Sequence, residues 1–170
     1  MNDDPAPSRI LVVQPSPRYL GVLARRLTAA GFRVATASCG TSAIAELHRG
    51  PVELVLGELY MPLMSGADLA RAIRSEAQWR DVPIMLITGR SRPDGAVRAY
   101  EAGADDVILK PFHFEVLVAR IHRRINRARA LRALRNDNAA LDARIVTRAI
   151  EIGDLRDRIR RLEREGLNAA

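Results

Sequence analysis

A single cysteine, Cys39, leaves nothing for an internal disulfide to close on and no second thiolate for a cysteine-based metal cluster. Its place before Gly40 suits a small residue in a turn. Aromatic residues make up only 4% of the chain, and no run approaches the roughly 20 apolar residues needed to cross a bilayer. The opening stretch, MNDDPAPSR, is acidic and proline-rich with no apolar segment behind a basic cap, unlike a secretory signal. A cytoplasmic protein without membrane insertion is therefore expected. Glycine-rich phosphate loops, Ser-His-Asp sets and metal motifs are missing as well. Lysine is nearly absent: Lys110 stands alone among 27 basic residues.

What is present suffices for one domain and an appendage: 170 residues, 48% of them hydrophobic. Four runs, Ile10-Leu11-Val12-Val13, Leu54-Val55-Leu56, Ile84-Met85-Leu86-Ile87 and Val107-Ile108-Leu109, are short and rich in branched side chains. With little polar alternation, they suit parallel strands covered on both faces. The stretch Phe32 to Ala37 alternates and reads as an edge strand. Between the runs the period becomes helical, with shared faces for Leu20, Leu23 and Leu27, for Ile44 and Leu47, for Leu69, Ala72 and Ile73, and for Val97 and Tyr100. Gly31, Gly50 and Gly103 follow helices where a left-handed residue commonly closes the last turn. Five strand-helix units imply a doubly wound α/β sandwich of the flavodoxin-like kind. A site would lie at the carboxyl ends of its strands: Gln14-Pro15, Gly57-Glu58, Thr88-Gly89 and Lys110-Pro111.

The segments ILVVQPSP, ELVLGELYMPLMSG, VPIMLITG and AGADDVILKPF, in this order, resemble the signature segments of a bacterial response-regulator receiver domain over about residues 9–125. In that family two acids after the first strand hold Mg²⁺, an Asp after the third accepts a phosphoryl group, and a hydroxyl residue and a Lys before Pro complete the site. The resemblance assigns the acidic pair to Gln14 and Pro15, the phosphoacceptor to Glu58, the hydroxyl to Thr88 and the lysine to Lys110, with Pro111 after it. Three of these five positions depart from the family, so the site reads as degenerate. A neutral amide and a proline cannot replace two carboxylates as ligands of a hard cation, so no cofactor, Mg²⁺ included, is expected. Glu58 moves its oxygens about 1–1.5 Å beyond those of Asp, and misplacement on that order can cost ~100-fold in rate. Glu58 is then either a solvated acid at a strand end or, the preferred reading, an anion that reaches Lys110 and mimics the phosphorylated state. The aromatic switch position of the family falls on Val107, which has no ring to move. His113 reads as a helix-start residue, and Trp79 and Tyr60 as packing or contact residues.

Charge divides the chain. Through residue 119 there are 13 basic and 13 acidic residues; from 120 on there are 14 against 7, so the last 51 residues carry the whole net charge of +7. One helical pattern without proline runs from Phe114 to about Glu165, and its second portion is a heptad repeat. Its a positions are Leu131, Asn138, Ile145, Ile152 and Ile159, and its d positions are Leu134, Leu141, Arg148, Leu155 and Leu162. Isoleucine at a, leucine at d and one buried asparagine favour a parallel two-stranded coiled coil. Facing Glu151 with Arg156 and Arg158 with Glu163 attract, whereas Asp137 with Asp142 repel, which leaves the C-terminal half firmer. The segment also resembles the coiled signalling linker between a receiver and an output module.

Residues 120–135 hold seven arginines and no acid. Arg123, Arg124, Arg127, Arg129, Arg132 and Arg135 are candidate contacts for nucleic acid or an acidic protein. The expected organisation is a disordered segment at 1–8, a receiver-like domain at 9–125, a coiled-coil helix at 126–165 and a disordered tail at 166–170. The expected function is a non-enzymatic, phosphorylation-independent signalling adaptor that homodimerises through the coil and binds another signalling or regulatory protein. Alternatives are a nucleic-acid-binding regulator, a weakly phosphorylatable stand-alone regulator, and a fragment of a receiver-linked output enzyme.

Overall fold

The computed structural model describes residues 7–89 and 94–168, with side chains to Arg164. The expected disorder of residues 1–6, 169 and 170 lies outside the described residues; Pro7 and Ser8 are described, Ser8 accepting the Arg33 amide through its carbonyl at 2.9 Å. The elements follow as β1 (Arg9–Val13), α1 (Pro17–Ala29), β2 (Arg33–Ala37), α2 (Gly40–Arg49), β3 (Leu54–Glu58), α3 (Gly66–Ser75), β4 (Ile84–Gly89), α4 (Asp94–Glu101), β5 (Asp106–Lys110) and α5 (Phe114–Asn168). All five strands are parallel, in the order β2-β1-β3-β4-β5. The alternating stretch is thus an edge strand, and the continuous apolar runs of β3 and β4 are buried throughout except at Gly89. The order reverses between β1 and β3, so the crevice outside their carboxyl ends is where such a sheet can hold a site.

Alternate residues of each strand serve opposite faces. Leu11, Val13, Val55, Ile84 and Leu86 pack with Ala43, Leu47, Leu69 and Ile73 of α2 and α3. Ile10, Val12, Leu54, Leu56, Met85 and Ile87 pack with Leu23 and Leu27 of α1 and with Leu117, Ile121 and Ile125 of α5. The helices start where the chain supplies caps: Ser16 ahead of Pro17 for α1, and Ser65 with Asp68 in a reciprocal capping box for α3. Gly66 is dictated by packing, since a Cβ there would stand 2.5 Å from the Glu58 carbonyl oxygen. That close approach folds the Pro62 to Ser65 loop back over the end of β3.

Three expectations need correction. Gly31 and Gly103 close their helices at φ +92° and +96°, but Gly50 has φ 163°, ordinary extended backbone. Val97 and Tyr100 of α4 are 56% and 51% exposed, and the buried face is made by Gly95 and Ala99. Small residues let α4 lie close to the sheet, and its bulky residues are left outside. Finally, α5 continues to Asn168, past both the expected end at Glu165 and the start of the expected tail, because no proline or cap interrupts it.

The chain forms two compact units, residues 1–128 and 129–170. The second is helical as far as it is described, and from Leu131 to Leu162 its seam leucines and isoleucines are 47–65% exposed. Among the described residues no helix is long and apolar enough to cross a membrane.

Candidate functional site

The carboxyl ends of β1, β3, β4 and β5 bring Gln14, Glu58, Thr88 and Lys110 together. Glu58 follows four buried residues of the central strand and is itself only 8% exposed, so it is not a solvated acid. Its Oε2 accepts the Lys110 ammonium at 2.5 Å and the Gln14 side-chain amide at 3.0 Å. The other end of Gln14 is also engaged, since its Oε1 accepts the Ser16 backbone N–H at 3.1 Å. Gln14 therefore fastens Glu58 to the turn that starts α1, using both functions of one buried amide. The Lys110 Nζ also lies 4.9 Å from the Tyr19 ring centroid of that helix, within cation–π range.

Thr88 is fully buried, and its hydroxyl finds no hydrogen-bond partner among the described residues. An orphaned buried hydroxyl costs about 1–3 kcal/mol. Pro15 is half-buried and brings no side-chain donor atom, while Pro111 is exposed after a cis peptide bond. Val107 is buried opposite Leu86 within the core. His113 is exposed just before α5, and Trp79 packs edge-on against His48 with centroids 4.6 Å apart.

Cys39 is the N-cap of α2, which agrees with its expected place in a turn. Its thiol is lowered to about 7 by the Ser42 hydroxyl at 3.3 Å and the Thr41 hydroxyl at 3.1 Å, with a further contribution from the Ser42 backbone. The carboxyl of Asp68 in the α3 box is held below its ordinary value, chiefly by the Ser65 hydroxyl at 2.6 Å.

The basic helix segment is less available than its composition suggests. Arg120 and Arg124 both reach Asp106 at the start of β5, at 3.3 and 3.4 Å, and Asp106 is 8% exposed. Arg120 additionally donates to the Val107 carbonyl at 3.2 Å. Arg124, expected to face a partner, instead pins α5 to the sheet. Asp106 was missed from sequence, though an acid opening the last strand and two arginines four apart on the following helix are a readable signal. Arg123 and Arg127 are exposed; Arg129, Arg132 and Arg135 belong to the second unit, where Arg132 is half-buried.

A family model described as the response regulator receiver domain matches residues 10–122. A probable cyclic di-GMP phosphodiesterase of Vibrio cholerae is 29% identical over 157 residues, 92% of this chain and 35% of that protein. Since 157 of 170 residues leaves 13 outside, that likeness extends well into the second unit. The transcriptional regulatory protein KdpE of Mycobacterium tuberculosis is 33% identical over 118 residues, 69% of this chain and 51% of that protein. The chain thus spans about a third to a half of the length of these relatives. Among solved structures, the receiver domain of the sensor histidine kinase PA1611 of Pseudomonas aeruginosa has a TM-score of 0.66 at 27% identity. The likeness covers 71% of this chain and 99% of that one, which holds a magnesium ion coordinated in its active site cleft.

Proposed function

The chain belongs to the response regulator receiver family, and from that premise we propose that it is a phosphorylation-independent member, a signalling adaptor that dimerises through the seam of α5. The observation that carries this reading is the Lys110 ammonium 2.5 Å from Glu58 Oε2. In a working receiver the lysine neutralises a transferred phosphoryl group; here a protein carboxylate is already under it. Because Glu58 is 8% exposed and also bound by Gln14, the pair is held in place rather than fluctuating at a surface. The adaptor therefore rests permanently in one charge arrangement, and its output is set by dimerisation and partner supply.

The donor set does not suit Mg²⁺. That ion takes oxygen ligands, usually one or two carboxylates with several waters. Glu58 is the sole carboxylate among the assigned site positions and is paired with a cation; Pro15 offers nothing, and the Gln14 oxygen faces a backbone N–H. Among the described residues no group of three or more His, Cys, Asp or Glu is placed to hold a metal. The adaptor works without a cofactor, in the cytoplasm, and as a non-enzyme.

The test is intact-mass measurement after exposure to a small phosphodonor at millimolar Mg²⁺. No mass gain is expected for the wild type, whereas the triple variant Gln14→Asp, Pro15→Asp, Glu58→Asp gains a phosphoryl group. A wild-type gain of about 80 Da that disappears in Glu58→Gln would refute the reading.

A second reading is favoured by the match to the Vibrio phosphodiesterase, which extends beyond the receiver into the long helix. On that reading the helix delivers the state of the receiver to an output enzyme. A nucleic-acid contact is weakened by the commitment of Arg120 and Arg124 to Asp106.

A further inference from the structure

The helix of the second unit has another apolar face that the seam does not use. At about 100° per residue, Ala139, Ala143, Val146, Ile150 and Gly153 fall within one arc of about 80°. No polar residue between positions 138 and 155 enters that arc. Its centre lies about 150° around the helix from the seam formed by Leu141, Ile145, Ile152 and Leu155. Over this same stretch the seam is interrupted by Asn138 and Arg148, whereas the opposite face is uninterrupted. Val146 and Ile150 are 60% and 61% exposed, and a Cβ added at Gly153 would meet nothing within 4 Å. Three small residues beside two branched ones form shallow holes and knobs, a surface on which another helix can lie closely.

The ends of the face identify what lies there. On the N-terminal side the same arc contains Arg132 and Arg135; on the C-terminal side it contains Arg161 and Arg164, with Asp157 engaged by Arg160. A second copy laid parallel on this face would set Arg132 against Arg132 and Arg161 against Arg161. Laid antiparallel about Val146, it would set Arg132 against Arg160 and Arg161, and Arg135 against Asp157, whose carboxylate Arg160 of its own helix already engages. The parallel arrangement places like charges together throughout and the antiparallel one does so at its outer ends, which disfavours self-association.

We propose that this face docks a helix of a different protein, one with an apolar stripe of about four turns bounded at both ends by Asp or Glu. The span from Arg132 to Arg161, at ~1.5 Å per residue, sets the length of that helix at roughly 45 Å. The proposal rests on the adaptor reading, in which the seam is occupied by a second copy, and it names the class of partner the adaptor receives.

The test uses the full chain and a designed helical peptide of about 30 residues, with Leu and Ala forming its central stripe and Glu in its first and last turns. Fluorescence anisotropy is expected to show binding that weakens about tenfold when the peptide glutamates become lysines, and again with Arg161→Glu, Arg164→Glu. Val146→Glu with Ile150→Glu is expected to weaken it roughly 100-fold, while sedimentation shows the dimer intact. The pair Val146→Ala, Ile150→Ala, which keeps helix propensity, is expected to weaken binding about tenfold. Equal binding of the lysine-ended peptide, or unchanged binding in both Val146/Ile150 variants, would overturn the proposal. So would a wild-type tetramer that becomes a dimer in Val146→Glu, Ile150→Glu, because the face would then belong to a second dimer. If Ile152→Lys with Leu155→Lys leaves the dimer intact while the peptide still binds the Val146 face, the seam reading fails and the docking face stands.

Discussion

Among the described residues the last buried apolar side chain is Ile125; from Leu131 to Leu162 every large apolar side chain is exposed, although the chain continues as one helix through both regions. In the first unit the helix is amphipathic against its own sheet, with Leu117, Ile121 and Ile125 in the core and Arg120 and Arg124 tied to Asp106. Among its described residues the second unit consists of this helix alone, with no strand of its own. A helix gains most of its stability in water from tertiary packing of its apolar face. The contrast therefore separates a unit with its own packed core from a helix whose apolar side chains are exposed, which is what the proposed dimer would cover.

The strongest way to break this contrast is to charge the seam. Ile152→Lys with Leu155→Lys removes two apolar side chains from each partner of the proposed dimer, at ~1.5–3 kcal/mol apiece, and that dimer is expected to weaken by more than about 1000-fold. Sedimentation at micromolar concentration should then show a monomer, while thermal melting of the receiver unit stays unchanged. In the opposite direction, Asn138→Ile should raise melting of the helix and relax the preference for two strands over three.

The next effect lies within the receiver unit. Lys110→Met leaves a buried carboxylate beside an uncharged neighbour and should cost about 2–3 kcal/mol, below the ~3–5 of a fully buried pair because the Lys110 side chain is 34% exposed. Chemical denaturation of that variant should show the loss, and adding Glu58→Gln should return part of it. A pair that contributed nothing would give two independent, additive substitutions.

The smallest effect is a local cap. Ser65→Ala removes the side chain that accepts the Asp68 amide at 3.1 Å and should cost about 1 kcal/mol in the receiver unit alone. Asp68 has a lowered folded value, so its contribution is present above the unfolded carboxylate range and is lost as pH falls through the folded value. Asp68→Asn should accordingly flatten the acid limb of the stability profile, with the dimer constant unaltered.

Composition and period alone determined the parallel sheet, its edge strand and the long helix, because a strand buried on both faces and a helix without proline write themselves into local sequence. That Gln14 and Pro15 stand where the family resemblance places two acids was equally legible, since an amide and a proline differ from carboxylates in composition and need no coordinates to be recognised. Only the tertiary structure decided that Glu58 is buried and paired with Lys110 rather than solvated, that α4 turns Gly95 and Ala99 inward, and that Arg124 belongs to Asp106. Those outcomes depend on which groups meet across 18 to 52 positions of sequence. Local patterning cannot encode that choice, because side-chain reach and the space between elements are set by packing.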